Sequence, residues 1–421
     1  MSAPVRDYRL RCCGCGATYE DDGVRLDCSL AHPPALLRTE YFRRDFAPGS
    51  EASIARFGEW LPRGRDVATG ARTAIFRSAR LAARLGLREL WIAFSGWWPQ
   101  RGATLVTATF KELEAIAVLG RLAPGEQRTM VVASAGNTAA AFAAVAGELD
   151  VPAIVVIPLD AWDALASLVE IGPSVRVVAV ADGTYDDAIG LARRLATREG
   201  CIAEGGVRNV ARRDGMGTIM LSAVEGIGAL PDVYVQAVGS AAGALAAHEA
   251  ALRLIGDGRF GMQLPRLILS QNAPYTPIHD AWKRCAPALD ECSPNDARER
   301  QQRLGAAVLG NPSPPYATTG GVRDALAATG GRTYAVTNGE MADAMLLFAE
   351  LEGIDVEPAA GVAIASLAHA ARDSAIGRDE RVLLNVTGGG RARRPRVTKV
   401  QQPSLVVPRA ELERAADALS V

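Results

Sequence analysis

The chain has 421 residues, 49% hydrophobic and 22% charged, a balance that suits two or three packed domains. A net charge of −1 excludes a global field for nucleic acid or an anionic membrane surface. No apolar run reaches the length of a membrane span and the N-terminus lacks the apolar core of a signal peptide, so a cytosolic protein is expected.

Residues 1–41 read as a small separate unit. Two residues separate Cys12 from Cys15, twelve separate Cys15 from Cys28, and three separate Cys28 from His32. That spacing suits a tetrahedral zinc ribbon with a knuckle at Gly14-Cys15-Gly16. Four protein ligands leave no open position, so the ion would be structural. Cys13 competes for the place of Cys12, and a ribbon of the same shape without metal is the alternative. Seven cysteines in a chain this long do not make a disulfide framework.

Leu90–Phe94 reads as a buried strand, followed by a turn at Gly96-Trp97-Trp98-Pro99, whose tryptophans suit packing or one wall of a pocket. Gly102–Ala108 looks extended and Glu112–Leu119 helical, with Lys111 between them. Among 46 basic residues only Lys111, Lys283 and Lys399 are lysines. Cations are disfavoured at helix N-termini, yet a chain that otherwise uses Arg keeps Lys here. A buried lysine loses its charge readily and forms a Schiff base with a carbonyl.

An α/β rhythm follows. Thr129–Ala133, Ala153–Ile157 and Val175–Val180 read as strands alternating with helices, which implies a mostly parallel sheet covered on both faces. Ser134-Ala135-Gly136-Asn137-Thr138 then lies at a strand's carboxyl end, where ligands bind, and suits a carboxylate at the next helix N-terminus, with a plain helix cap by Asn or Ser as the alternative. Glu204–Thr218 reads as a glycine-punctuated basic loop whose Arg208, Arg212 and Arg213 suit an anionic substrate group or simple solvation. Asp232–Ala237 is a strand running into Gly239-Ser240-Ala241-Ala242-Gly243 and a helix of small residues, the layout of a phosphate cradle. There is no Walker lysine and no Gly-x-Gly-x-x-Gly, which disfavours nucleoside triphosphates and NAD. Pyridoxal phosphate needs both a lysine and such a cradle.

Residues 272–320 read as loops with one helix around Asp296–Val308. Thr337-Asn338-Gly339-Glu340 is a capping box, and Pro358 opens another helix. Val382–Val386 is the last core strand, ending in Thr387-Gly388-Gly389-Gly390. Residues 401–421 read as a peripheral tail.

The order of these pieces resembles the threonine-synthase-like, fold-type-II pyridoxal phosphate enzymes over roughly residues 8–391. Gly102–Ala115, Glu204–Thr218, Asp257–Phe260, Gly320–Gly331 and Leu384–Gly390 carry the likeness, with the Cys-x2-Cys opening and Leu36–Tyr41. Thr109-Phe110-Lys111-Glu112-Leu113-Glu114-Ala115 is more narrowly similar to the cysteate synthase branch, since threonine synthases usually have Ser-Phe-Lys-Asp there.

The resemblance implies a tryptophan synthase β-like fold of two α/β domains with parallel-rich sheets plus the ribbon. Residues 42–125 and 225–400 would form the large cofactor-binding domain, and 126–224 a small one that closes over the site. Lys111 would carry pyridoxal 5'-phosphate, Asn137 would meet its phenolic oxygen, Thr387 its ring nitrogen, and Gly239, Ser240, Ala241, Ala242 and Gly243 its phosphate. Similar enzymes tend to have Gly-Ser-Gly-Thr-Gly at this cradle, so Ala241 and Ala242 are a departure that removes a hydroxyl donor and some backbone freedom. Ser134, Gly136 and Thr138 are the candidates for the substrate carboxylate, and Arg213 for a phosphate or sulfite.

The implied reaction is β-replacement on O-phospho-L-serine by sulfite through an aminoacrylate, giving L-cysteate for coenzyme M or another sulfonate. The alternatives are threonine synthesis from O-phosphohomoserine, a sulfide-using relative, or a non-catalytic protein that keeps the fold. Small-molecule partners and a homo-oligomer are implied; nucleic acid and membrane are not.

Overall fold

The computed structural model describes residues 6–134 and 136–418. Three strands come first: β1 (Tyr8–Cys12), β2 (Thr18–Tyr19) and β3 (Leu37–Tyr41). They form an antiparallel sheet in the order β2-β1-β3. β4 (Ala74–Arg77) and β5 (Glu89–Phe94) follow, then the hairpin of β6 (Trp97–Trp98) and β7 (Ala103–Thr104). Next come β8 (Thr129–Ala133), β9 (Ala153–Pro158), β10 (Val175–Ala181) and β11 (Cys201–Ala203). The chain continues through β12 (Val233–Ala237), β13 (Arg266–Asn272), β14 (Arg332–Val336), β15 (Arg381–Val386) and β16 (Leu405–Pro408).

Two larger sheets result. One has six strands in the order β14-β13-β12-β15-β5-β4, parallel except for β4 against β5. The other has five strands in the order β11-β8-β9-β10-β16, all parallel. Strands buried on both faces read as continuous apolar runs, and Ala153–Pro158 is buried at every position. The capping box is present in full, with Thr337 and Glu340 exchanging hydrogen bonds at the start of the Asn338–Glu352 helix.

Several elements differ from the sequence expectations. The C-terminal segment is no peripheral tail: β16 pairs in parallel with β10 and supplies the fifth strand of the second sheet. The extended-looking run before Lys111 pairs only at Ala103–Thr104 and then turns. The helix near residue 296 spans Pro294–Gln302, with a 3-10 turn at Ala307–Leu309.

The basic stretch at 204–218 is mostly helix, Val210–Ile227, with the Asn209 side chain accepting from Ala211 N at its start. Gly205 and Gly206 make a left-handed turn before it, whereas Gly215 and Gly217 serve helix packing. A Cβ at Gly215 would lie 2.3 Å from Leu113 O, so glycine there lets this helix touch the backbone of the Lys111–Arg121 helix.

The ribbon is fastened to the end of that same lysine helix. Arg121 and Asp21 are fully buried and paired at 2.6 Å, and Tyr8 OH donates to Asp21 at 2.6 Å. Arg6 lies 3.3 Å from the same carboxylate, so removing Asp21 strips Arg121 of its buried counter-charge, a loss of about 3–5 kcal/mol, whereas removing Arg121 leaves Asp21 with Arg6. Among the described residues, no helix is long and apolar enough to cross a membrane.

Candidate active site

Lys111 opens its helix directly after a tight turn. Ala108 sits in the left-handed region (φ 56), and the Glu112 carboxylate accepts from Thr107 N at 2.7 Å and from Thr107 Oγ1 at 3.0 Å. Burial pushes the Glu112 carboxyl up to about 7, against the pull of the Thr107 backbone and hydroxyl. The turn is tied to the end of β15: Phe110 N donates to Thr387 O at 2.9 Å, Gly389 N donates to Ala108 O at 3.1 Å, and Thr109 bridges Gly388. Glycine is required on the far side. At Gly390 (φ +76) a Cβ would lie 2.0 Å from Trp97 O, and at Gly389 one would lie 2.4 Å from Asp355 O. These backbone bonds bring Lys111 and Thr387, distant in sequence, to one cavity of about 300 Å³.

The cavity lies at the carboxyl ends of β8, β12 and β15, where open parallel sheets bind ligands. Lys111, Ser134, Gly136, Asn137, Thr138, Gly239 to Gly243 and Thr387 all line it. Ala135 lies outside the described residues. Trp97 and Trp98 do not line the cavity; Trp98 packs on Phe94 and Phe76 instead.

The cavity floor is a chain of charges. Lys111 Nζ donates to Glu114 at 3.1 Å; Thr138 Oγ1 also donates to Glu114, at 2.8 Å. Arg212 reaches Glu114 at 3.1 Å and clasps Glu204 from two nitrogens, each at 2.8 Å. Burial by itself would depress the Arg212 guanidinium, but Glu114 and Glu204 outweigh it and hold it above the usual arginine range.

Arg212 is therefore the arginine at the cavity. Arg213 is not: it is wholly buried, paired with Glu249 at 3.0 Å, and donates to the carbonyls of Val207 and Leu37. Successive residues on a helix point about 100° apart, so one position decides which arginine meets ligand and which holds the core. Arg208, also in the basic stretch, pairs with Asp27 at 2.6 Å.

Three side chains at or beside the cavity, Glu357, Arg391 and Gln236, escape the sequence reading. Glu357 accepts from Asn137 Nδ2 at 2.8 Å, while Arg391, just beyond the cavity lining, donates to Asn137 Oδ1 at 2.8 Å and lies 3.6 Å from Glu357. Burial pushes the Glu357 carboxyl up, opposed by Arg391, Asn137, Lys111 and Thr387. Gln236 is buried with its Oε1 accepting from Tyr234 OH at 2.6 Å and from Asn385 Nδ2 at 3.1 Å. That leaves its Nε2 facing the cradle, since a Cβ at Gly243 would lie 2.6 Å from it. Gln236 is legible in hindsight as an amide inside an apolar strand. Glu357 carries a weaker signal, a long carboxylate in the N-cap position where short side chains prevail.

The residues present fit pyridoxal phosphate. A Cβ at Gly239 would lie 3.0 Å from Leu309 O, so the cradle is open only because glycine stands there. Ala241 keeps the left-handed conformation (φ 58) at the head of the Ala242–Asp257 helix, whose first amides have no intrahelical acceptor and so suit a phosphate. The Lys111 amine reaches the same cavity.

Outside this cavity, the fold also brings Cys12, Cys15, Cys28 and His32 together, their ligand atoms within 4.8 Å of one another.

Residues 68–388 match the family model described as pyridoxal-phosphate dependent enzyme. The cysteate synthase of Methanosphaerula palustris is 47% identical over 388 residues, covering 91% of this chain and 90% of that protein. That of Methanoregula boonei is 45% identical over 421 residues, covering 97% and 98%. The processed form of threonine deaminase isoform 2 from Solanum lycopersicum superposes with a TM-score of 0.59 at 17% identity, over 85% of this chain and 94% of that one. Maize serine racemase superposes with a TM-score of 0.58 at 15% identity, over 76% and 88%. The structural likenesses identify the fold, that of fold-type-II enzymes, and the cofactor is pyridoxal phosphate. The chain belongs to the pyridoxal-phosphate dependent enzyme family, in the group whose curated members are named cysteate synthase.

Proposed function

We propose that this protein catalyses β-replacement on O-phospho-L-serine by sulfite, releasing phosphate and forming L-cysteate. The observation that carries the reading is the single lysine facing a glycine cradle across one cavity, in a chain similar over nearly its whole length to cysteate synthases.

When bound, pyridoxal phosphate supplies the electron sink that makes the α-proton of an amino acid removable. Lys111 Nζ is the base that takes this proton from Cα. Glu114, already accepting from Lys111, holds the resulting ammonium and keeps its proton in place. The free amides at the start of the Asn137–Glu148 helix bind the substrate carboxylate together with Ser134. Thr138 contributes its amide, because its hydroxyl is committed to Glu114. Arg212 presents positive charge to the departing phosphate and the arriving sulfite, in place of Arg213. Asn137, gripped by Glu357 and Arg391, would hold the cofactor at its phenolic oxygen, and Thr387 would hold it at its ring nitrogen. The five-stranded sheet, β16 included, and the helices that cover it close over the site as a small domain and exclude water. Seven thiols with no disulfide among the described residues suit a reducing cytosol, and a homo-oligomer is the assembly we expect.

The test is to incubate the cofactor-loaded protein with O-phospho-L-serine, with and without sulfite, and to follow phosphate and amino-acid products. Sulfite-dependent cysteate in step with phosphate is the expected result. Phosphate and pyruvate without cysteate, or turnover only of O-phosphohomoserine, would overturn the reading.

A further inference from the structure

We propose that Cys12, Cys15, Cys28 and His32 hold one structural Zn2+, and that this ion clasps the loop that fastens the ribbon to the lysine helix. The inference is independent of the reaction proposed above.

The side-chain atoms are already arranged as a coordination shell. Cys15 Sγ and Cys28 Sγ lie 3.7 Å apart, and Cys12 Sγ lies 3.3 Å from His32 Nε2. A tetrahedron with zinc–sulfur bonds of ~2.3 Å and a zinc–nitrogen bond of ~2.0 Å has edges of ~3.8 Å and ~3.5 Å, close to those separations.

The surroundings prepare each ligand. His32 Nδ1 lies 2.6 Å from Pro33 O. A carbonyl only accepts, so the ring proton sits on Nδ1 and the Nε2 lone pair faces Cys12. Gly14 N donates to Cys12 Sγ at 3.4 Å, Leu30 N to Cys28 Sγ at 3.5 Å, and Tyr19 OH lies 2.9 Å from Cys28 Sγ. Donors aimed at sulfur favour thiolates, which are the metal-binding form. Cys13 is no competitor: its Sγ packs toward Gly320, where an added Cβ would lie 2.8 Å from it. Three thiolates and an imidazole select zinc over hard cations, and four protein ligands exclude a bound substrate.

The loop between the ligands explains what the ion is for. Residues 20–36 contain no helix and no sheet ladder, yet they carry Asp21, the buried partner of Arg121, and Asp27, the partner of Arg208. Pro33 to Leu36 line a second cavity of about 1080 Å³, which shares Tyr185, Glu204 and Val207 with the first. Leu10, Leu36 and Leu37 on either side of the loop pack into the main core, but none of residues 24–35 between them is buried, so the loop has little core of its own to hold it.

Full-length protein purified from zinc-replete medium without chelator would be assayed for metals by mass spectrometry. One zinc per chain is expected, released by mercurial titration of the thiols. Cys15→Ser and Cys28→Ser lose the zinc, whereas Cys13→Ser and Cys292→Ser retain it. Cobalt substituted into the chelated protein gives the visible bands of a tetrahedral thiolate site. Chelation also speeds proteolytic cleavage within residues 20–36, a readout that needs no variant. Zinc-free protein, iron in place of zinc, zinc content unchanged by Cys28→Ser, or an intact mass showing a Cys15–Cys28 disulfide would each overturn the proposal.

Discussion

Two glycine-rich turns leave adjacent strands of the six-stranded sheet, β12 and β15, and they use glycine for different reasons. After β15, Gly388 to Gly390 are pressed against protein: Ala108 O, Asp355 O and Trp97 O occupy the space side chains would need. That turn is a joint, and its backbone bonds seat the lysine helix. After β12, Gly239 to Gly243 face a cavity, and one of the five positions tolerates a left-handed alanine. In the joint a Cβ would meet backbone oxygen at 2.4 Å or less at Gly389 and Gly390, whereas in the cradle Gly239 would meet Leu309 O at 3.0 Å and Gly243 the Gln236 side chain, so the joint is the tighter of the two and the cradle alone faces the cavity.

Lys111→Ala tests the cavity that both turns frame. It should lower turnover by about 10^3-fold or more, the range attributed to a positioned general base, and abolish the absorbance shift of the bound cofactor. Retention of both would remove the lysine from the chemistry.

Gly390→Ala strikes the joint. Its Cβ would meet Trp97 O in a left-handed backbone, so the denaturation midpoint should fall by the equivalent of about 3 kcal/mol. Unchanged stability would mean that the joint is soft.

Glu112, which seals the turn on the lysine side, supplies a pH test. Its carboxyl is raised from 4.5 to about 7, so the native state keeps a proton that the unfolded state releases between those values. The stability this contributes is complete below about pH 4.5 and is lost as pH rises through 7, roughly 3 kcal/mol in all. Glu112→Gln retains an acceptor for Thr107 without titrating. Denaturant melts at pH 5 and pH 8 should therefore differ less for the variant than for the parent; an equal difference would place the pH dependence elsewhere.

Ala241→Gly is the mildest change. It relieves a left-handed Cβ worth roughly 1 kcal/mol, so the denaturation midpoint should rise by the equivalent of up to that amount while cofactor titration shows unchanged affinity. Weaker binding would mean that the methyl group itself contributes to the cradle.

Local signals in the chain specified much of this protein. Apolar runs and capping residues marked the main strands and helices, and the lone lysine, the two glycine turns and the Asn137 loop stood out because each interrupts a regular pattern. The Cys/His spacing likewise singled out residues that the fold gathers within 4.8 Å. Tertiary structure alone decided which arginine meets the cavity, because most of the stretch read as a loop is helix, and helical phase turns the buried Arg212 toward the cavity and Arg213 into the core. It alone brought Glu357 and Arg391 to Asn137, 220 and 254 residues away. It alone made the C-terminal segment a strand of the second sheet. The physical reason is the same in each case: pattern and propensity act over a few residues, whereas these contacts exist only once distant strands have paired and helices have packed.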